Sequence, residues 1–279
     1  MNPDFATWAD RASRAHRTLR ALIWSVQCAG CNRWDELLCA HCARLGTKIP
    51  TDLVLDDAEG IPSWPMLANG KYEGALRNIL LAAKHDPVMD LSEFLFQAGY
   101  TLGTNLGKRV HIERGEKIWV VPVPSSRKRQ RDHAEIVPFI AEGVQIGLRN
   151  ALALRTDTAG LRTDAPTGAV PQVSVVYAVR PRSLFALAST EKTTTASLLE
   201  RFVPAPITAI RSSSQRGRGV RARGLARAGT MELALKLPKN VRVVVVDDVC
   251  ASGATLREVL RHVGDQTLAI AVVAASGPS

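Results

Sequence analysis

Two groups of residues in this chain have the types and the spacing that chemistry needs. The first lies in Val243 to Thr255, VVVVDDVCASGAT. Two adjacent carboxylates, Asp247 and Asp248, follow a run of β-branched residues. A turn of small residues, Ala251-Ser252-Gly253-Ala254-Thr255, then opens a helical pattern. The carboxyl end of a parallel strand is where α/β sheets bind ligands. Adjacent carboxylates placed there accept hydrogen bonds from vicinal sugar hydroxyls or hold a cation. Small residues let backbone N–H groups approach an anion, and a helix starting at that point adds free N–H groups and a positive dipole end. Ser252 and Thr255 add hydroxyls. The combination is an acidic clamp beside a phosphate cradle, which suits a ribose 5-phosphate. The competing reading is an ordinary strand–turn–helix whose carboxylates cap the helix. A Gly-Lys-Ser/Thr nucleotide loop is excluded, because the sequence has none.

The second group is Cys28-Ala-Gly-Cys31 followed by Cys39-Ala-His-Cys42, a C-x2-C-x7-C-x2-C pattern. Each C-x2-C pair brings two thiolates to one metal through a tight knuckle, and two pairs complete a tetrahedral four-thiolate site. Zn²⁺ fits that donor set, with an iron–sulfur cluster as the alternative. Such sites are closed and structural, and the metal replaces the hydrophobic core that so small a module lacks. His41 lies inside the second knuckle as a substitute ligand or an exposed neighbour. The fifth cysteine, Cys250, sits by the phosphate turn and is either a redox-sensitive thiol or a small packing residue.

These groups require elements to position them. Lys117 to Val123 (KIWVVPV) and Val241 to Val246 read as buried strands, Val173 to Val179 as strand-like, and Thr267 to Ala274 as an apolar strand. None alternates with polar residues, which predicts a parallel sheet covered on both faces by helices. Helical periodicity appears at 5–25, where Trp8, Ala12, Ala15, Leu19, Leu22 and Ile23 form a stripe among arginines. It returns from Tyr72 to Lys84, from Leu91 to Leu102 with Gly103 or Gly107 as the stop, at 134–149 and at 254–263. Residues 43–70, rich in Pro, Asp and Gly, read as a connector. Residues 156–206 read as an inserted hairpin or mobile loop, and 216–236 as Arg-rich and partly helical. The expected division is 1–70 for the N-terminal helix, cysteine module and connector, and 71–279 for the α/β domain with its insertion.

The 279 residues carry 36 Lys+Arg against 26 Asp+Glu, a net charge of +10 and a sequence pI of about 9.8. That excess points to an anionic partner: nucleic acid, a phosphorylated metabolite or acidic lipid. No apolar run reaches the roughly 18 residues of a membrane span, and the first residues do not follow a signal-peptide pattern. The cytoplasm is the expected compartment, where a cysteine cluster favours metal over disulfides.

VVVVDDVCASGAT resembles the phosphoribosyl pyrophosphate (PRPP) binding motif of type I phosphoribosyltransferases, with Ala251 in place of a usual threonine. Together with the four-cysteine module it resembles the ComF family. Tyr72-Glu-Gly-Ala-Leu-Arg-Asn-Ile79 through Lys84, the Val121-Pro-Val-Pro124 loop with its basic run, and Gln215-x-Gly217 with Arg223 look like further segments of that family. The chain departs from it at Arg131-Asp-His-Ala-Glu135, at Ala226 and in the long insertion, the region that should recognise the second substrate. The resemblance implies an α/β fold of the type I phosphoribosyltransferase kind, with a parallel sheet flanked by helices and a small N-terminal zinc-ribbon-like module. It implies PRPP carried with Mg²⁺. Asp247 and Asp248 would serve the ribose hydroxyls and the reacting centre, Ala251, Ser252, Gly253, Ala254 and Thr255 the 5-phosphate, and Cys28, Cys31, Cys39 and Cys42 the zinc. It also implies that Ser125, Ser126 and Arg127 in the loop after the first core strand meet pyrophosphate, with Lys84 reaching the same anion. A solvated basic turn and a cation at a helix C-terminus are the plainer readings of these last four.

Two functions follow. One is transfer of phosphoribosyl from PRPP to an unidentified acceptor with release of pyrophosphate. The other is a non-catalytic PRPP- or nucleotide-binding protein acting in DNA uptake or nucleic-acid handling, with DNA or the uptake machinery as partner.

Overall fold

The computed structural model describes residues 26–55, 63–86, 88–113, 116–125, 129–130, 135–160, 171–181 and 230–276. The helix expected at 5–25, Ser126, Arg127, Arg131 to Ala134 and the arginines from Arg211 to Arg227 lie outside them.

Eight strands are described: β1 (Thr51–Leu55), β2 (Trp64–Lys71), β3 (Lys117–Pro122), β4 (Val173–Val175), β5 (Val179–Pro181), β6 (Met231–Leu233), β7 (Val241–Cys250) and β8 (Thr267–Ala275). Six form one sheet in the order β1-β2-β8-β7-β3-β4. Every neighbouring pair is parallel except β1 with β2, which is antiparallel at the edge. β5 and β6 pair antiparallel as a separate ribbon. The helices are α1 (Ala40–Ala43), α2 (Gly74–His85), α3 (Ser92–Arg109), α4 (Val137–Gly160) and α5 (Ala254–Val263). Among the described residues no helix is long and apolar enough to cross a membrane.

The valine run of β7 shows why a two-sided sheet needs no polar alternation. Side chains alternate across a strand. Val244 and Val246 enter the core beneath α2, α3 and α4, while Val243 and Val245 enter the core beneath α5, and all four are fully buried. At roughly 25 cal/mol per Å² of apolar surface removed from water, such central strands dominate the stability of the sheet.

The stretch expected as a connector contributes β1 and β2 to this sheet. β2, WPMLANGK, contains Pro, Asn and Gly and has little intrinsic strand preference. Its place between β1 and β8 supplies what its composition lacks, and Met66, Leu67 and Ala68 are buried. The Val173–Val179 run is divided: β4 ends at Val175, the chain turns, and β5 leaves for its pairing with β6. Within the stretch expected to be partly helical, 231–233 are strand, and 216–229 lie outside the described residues.

α3 does not stop at Gly103 or Gly107 but continues to Arg109. A Cβ at Gly99 would collide with the Ile140 carbonyl oxygen, and one at Gly103 with that of Val144. From the other side, a Cβ at Gly143 or Gly147 would strike the carbonyls of Phe96 and Tyr100. The two helices thus pack backbone to backbone along interleaved glycines, with Arg155 Nη1 donating to the carbonyls of Gly107 and Val110 at 3.0 and 2.7 Å.

The cysteine module is not a separate body. Cys28, Cys39 and Cys42 share one continuous core with Leu76, Ile79 and Phe94. The module thus draws apolar support from the core of the α/β domain, an addition to the expectation that a metal replaces a core.

Candidate active site and metal centre

The four clustered cysteines are free thiols, with Cys31 exposed and the others buried. Their sulfur atoms all lie within 4.8 Å of one another. Four thiolates at Zn–S distances of about 2.3 Å stand slightly under 4 Å apart, so the cluster is the right size for one tetrahedral ion. Cys31 and Cys39 already approach to 3.6 Å. Burial opposes ionisation of Cys28, but the N–H groups of Cys39, Cys31 and Gly30 outweigh it and draw its thiol down to about 6. Burial, then its neighbouring cysteines, push the Cys42 thiol upward. N–H groups aimed at sulfur favour the thiolate that a metal requires, so the donor set fits zinc. His41, in the short α1, is exposed.

Gly30 is indispensable to the first knuckle. A Cβ there would lie 2.6 Å from Cys42 Sγ and 3.3 Å from the Ala75 Cβ. The Gly30 carbonyl accepts a hydrogen bond from Asn78 Nδ2 of α2 at 3.0 Å. No spacing rule in the sequence pointed to Asn78, since the contact is between distant segments.

The second site forms at the carboxyl end of β7. The strand runs past Val246 to Cys250, so both carboxylates belong to it rather than follow it. Asp247 continues the side of Val243 and Val245. It lines a cleft of about 150 Å³ together with Val249, Ala251, Ser252, Gly253 and Thr255. Asp248 continues the side of Val244 and Val246, turned towards α2, and its backbone N–H donates to Asp247 Oδ1 at 2.8 Å.

Neither carboxylate is the N-cap residue of α5. The N-cap of α5 is Gly253, in the left-handed region at φ 69°, and no side chain bonds there. Gly253 is required by its φ, while a Cβ there would meet only the ends of the Arg257 and Leu55 side chains; Arg257 Nη1 donates to the Ser252 carbonyl at 2.7 Å. The first turn of α5 holds no acidic residue. Its N-terminal dipole faces the cleft without an acidic side chain from its own first turn.

Lys84, in the last turn of α2, meets Asp248 Oδ2 at 2.8 Å, with the two side chains only 13% and 8% exposed. The two are thus partners beside the end of β7, and neither lines the 150 Å³ cleft. Val123 donates to the Val246 carbonyl at 2.8 Å, which sets the loop after β3 beside the end of β7, with Ser125 buried in it. Across this loop a second cleft of about 290 Å³ is lined by Pro122, Pro124, Glu135, Tyr177 and Arg180. Arg180 is engaged by Glu232 at 2.8 Å, and burial, then Glu135 and Glu142, push the Tyr177 phenol upward.

Cys250 is 6% exposed. Burial, and next the Asp247 carboxylate, push its thiol up to about 11 against the pull of Arg257 and the Gly253 N–H. It packs in the core beneath α5. Alkylation at about pH 8 is expected to spare Cys250 in the native protein and to label it after unfolding in urea. Rapid native labelling, read by peptide mass spectrometry, would contradict this.

The family model described as a phosphoribosyl transferase domain matches residues 193–278, which include β6, β7, α5 and β8. No curated protein matches the chain. Residues 193–278 therefore match a phosphoribosyltransferase domain, in a chain whose sheet is mixed, mostly parallel and flanked by helices, with a four-cysteine cluster ahead of it.

Proposed function

We propose that the protein is a ComF-like, cytoplasmic phosphoribosyltransferase that binds PRPP with Mg²⁺ and transfers its phosphoribosyl group to an acceptor, releasing pyrophosphate. One observation carries the reading: Asp247 and the turn 251–255 line a single cleft at the amino end of α5. That is a carboxylate for a sugar beside N–H and hydroxyl donors for a phosphate. The matched domain supports the same ligand.

In this reading the 5-phosphate sits on Ala251, Ser252, Gly253, Ala254 and Thr255, where the α5 dipole favours an anion. Asp247 accepts from one ribose hydroxyl. Asp248, steadied by Lys84, serves the second. As the bond from C1 to pyrophosphate breaks, positive charge develops on the ribose ring, and fixed carboxylates nearby stabilise it. Ser125, Ser126, Arg127 and Lys84 are the proposed pyrophosphate contacts, and Mg²⁺ carried with PRPP would supply further charge neutralisation there. The acceptor enters the 290 Å³ cleft across the β3 loop. The cysteines hold a structural Zn²⁺.

The test is calorimetric titration of PRPP with Mg²⁺ into the zinc-loaded full chain, beside Asp247→Asn. The wild type is expected to bind in the micromolar range, and the variant about a hundredfold more weakly because a charged acceptor is lost from the site. Absence of binding by the folded, metallated wild type would end this reading. Binding without pyrophosphate release across a panel of amine and base acceptors would instead favour the PRPP-sensing alternative, for which salt-dependent DNA affinity is the next measurement.

A further inference from the structure

We infer that the four-cysteine centre sets the working geometry of the phosphoribosyl cleft through helix α2, with Lys84 as a positioning residue that acts on Asp248. The inference rests on the function proposed above, but its physical link is independent of it.

α2 is anchored at both ends by contacts that do not belong to its own fold segment. Near its start, Asn78 donates to the Gly30 carbonyl at 3.0 Å, and Ala75 packs against Gly30. Gly30 lies inside the Cys28–Cys31 knuckle and is pressed against Cys42 of the other knuckle. The position of the helix is thus keyed to both halves of the cysteine cluster. Near its end, Lys84 holds Asp248 at 2.8 Å. Asn78 and Lys84 are separated by about 9 Å of helix at 1.5 Å per residue. Ile79 and Leu80 between them, and Leu76 before them, are buried in the core that also takes Cys28, Cys39 and Cys42. A packed helix moves as a body, because close-packed interiors transmit displacement rather than absorb it.

The consequence follows from the partners of Asp248. Its backbone N–H is bound to Asp247, so a shift of Asp248 is felt at the carboxylate lining the cleft. A metal draws the knuckles together and fixes Gly30. Without it, or without the Asn78 bond, α2 loses one of its two anchors and Lys84 holds Asp248 less firmly.

The experiment uses the full chain in three forms: zinc-loaded wild type, wild type stripped of zinc and freed of chelator, and zinc-loaded Asn78→Ala. Asn78→Ala removes the strut without touching a cysteine or the cleft, and zinc content checks that the metal stays. Hydrogen exchange of the 247–250 backbone and titration with PRPP and Mg²⁺ are the readouts. Both the stripped protein and Asn78→Ala are expected to exchange faster at 247–250 and to bind PRPP about tenfold more weakly. Lys84→Met should likewise speed exchange at 247–250 in the ligand-free protein with zinc retained, and Lys84→Arg should recover most of the protection. If the wild type binds no PRPP, the exchange data alone decide: faster exchange at 247–250 in Asn78→Ala supports the coupling while the function fails. Unchanged exchange in metallated Asn78→Ala overturns the inference, whatever PRPP does. Should the stripped protein unfold, Asn78→Ala carries the decision.

Discussion

Replacing Gly103 by alanine is expected to cost the protein about 3 kcal/mol or more, and replacement by valine to prevent folding. The reason is what stands opposite. A Cβ at Gly103 would overlap the Val144 carbonyl oxygen and lie 2.8 Å from the Leu148 nitrogen, both backbone atoms of α4. A side chain in the way can turn aside, but helix backbone cannot, so α3 and α4 must separate. Overpacking of a core typically costs 1–3 kcal/mol even when side chains can adjust, so about 3 kcal/mol is the lower end here. Gly70→Ala is the control. Its new methyl would meet only the end of the Leu76 side chain, at 3.1 Å, and a loss under about 1 kcal/mol is expected. Urea denaturation measures both, and a lower midpoint at unchanged slope assigns the loss to stability. A Gly103→Ala midpoint equal to wild type would show that the helices are not in backbone contact. The effect extends to the cleft, because α4 packs on β3, β4 and β7.

The same glycines show where a sequence is legible and where it is not. Gly103 and Gly107 read as helix stops because glycine ends helices when nothing else is known about it. Their spacing of four, continued back to Gly99, is also that of one helix face, but a face acquires meaning only from its partner, and α4 lies far along the chain. By contrast β7, α5 and β8 were readable because their signals are local: a β-branched run, a small-residue turn and a helical apolar period over 254–263. β2 was not, because its strand character comes from β1 and β8 rather than from its own residues. In the candidate site, the carboxylates, the turn and the cysteine cluster were visible from residue types alone. The division of labour between Asp247 and Asp248 was not. It depends on the strand continuing to Cys250, which sends adjacent side chains to opposite faces.

That division leads to the second large effect. Lys84→Met is expected to destabilise the protein by about 3–5 kcal/mol, because it leaves the Asp248 carboxylate nearly buried with its counter-charge removed. A surface pair would cost under about 1 kcal/mol, but side chains 13% and 8% exposed are not screened like surface groups. The reverse change, Asp248→Asn, should cost less, since an amide oxygen of the same shape still accepts from the ammonium. Replacing both, as Lys84→Met with Asp248→Leu, should recover much of the loss, because an apolar pair has no charge to desolvate. Denaturation of wild type, Lys84→Met, Asp248→Leu and their double variant as a double-mutant cycle separates the coupling from the single costs. A single-mutant loss below about 1 kcal/mol for Lys84→Met would mean that water reaches Asp248 and that the pair does not hold the carboxylate in place. The recovered double variant is the informative protein for function. It would restore the fold while lacking the second carboxylate, so PRPP binding that stays lost in it would show that Asp248 serves the ligand rather than the sheet. Binding that returns with stability would leave Asp247 as the carboxylate that meets the ribose.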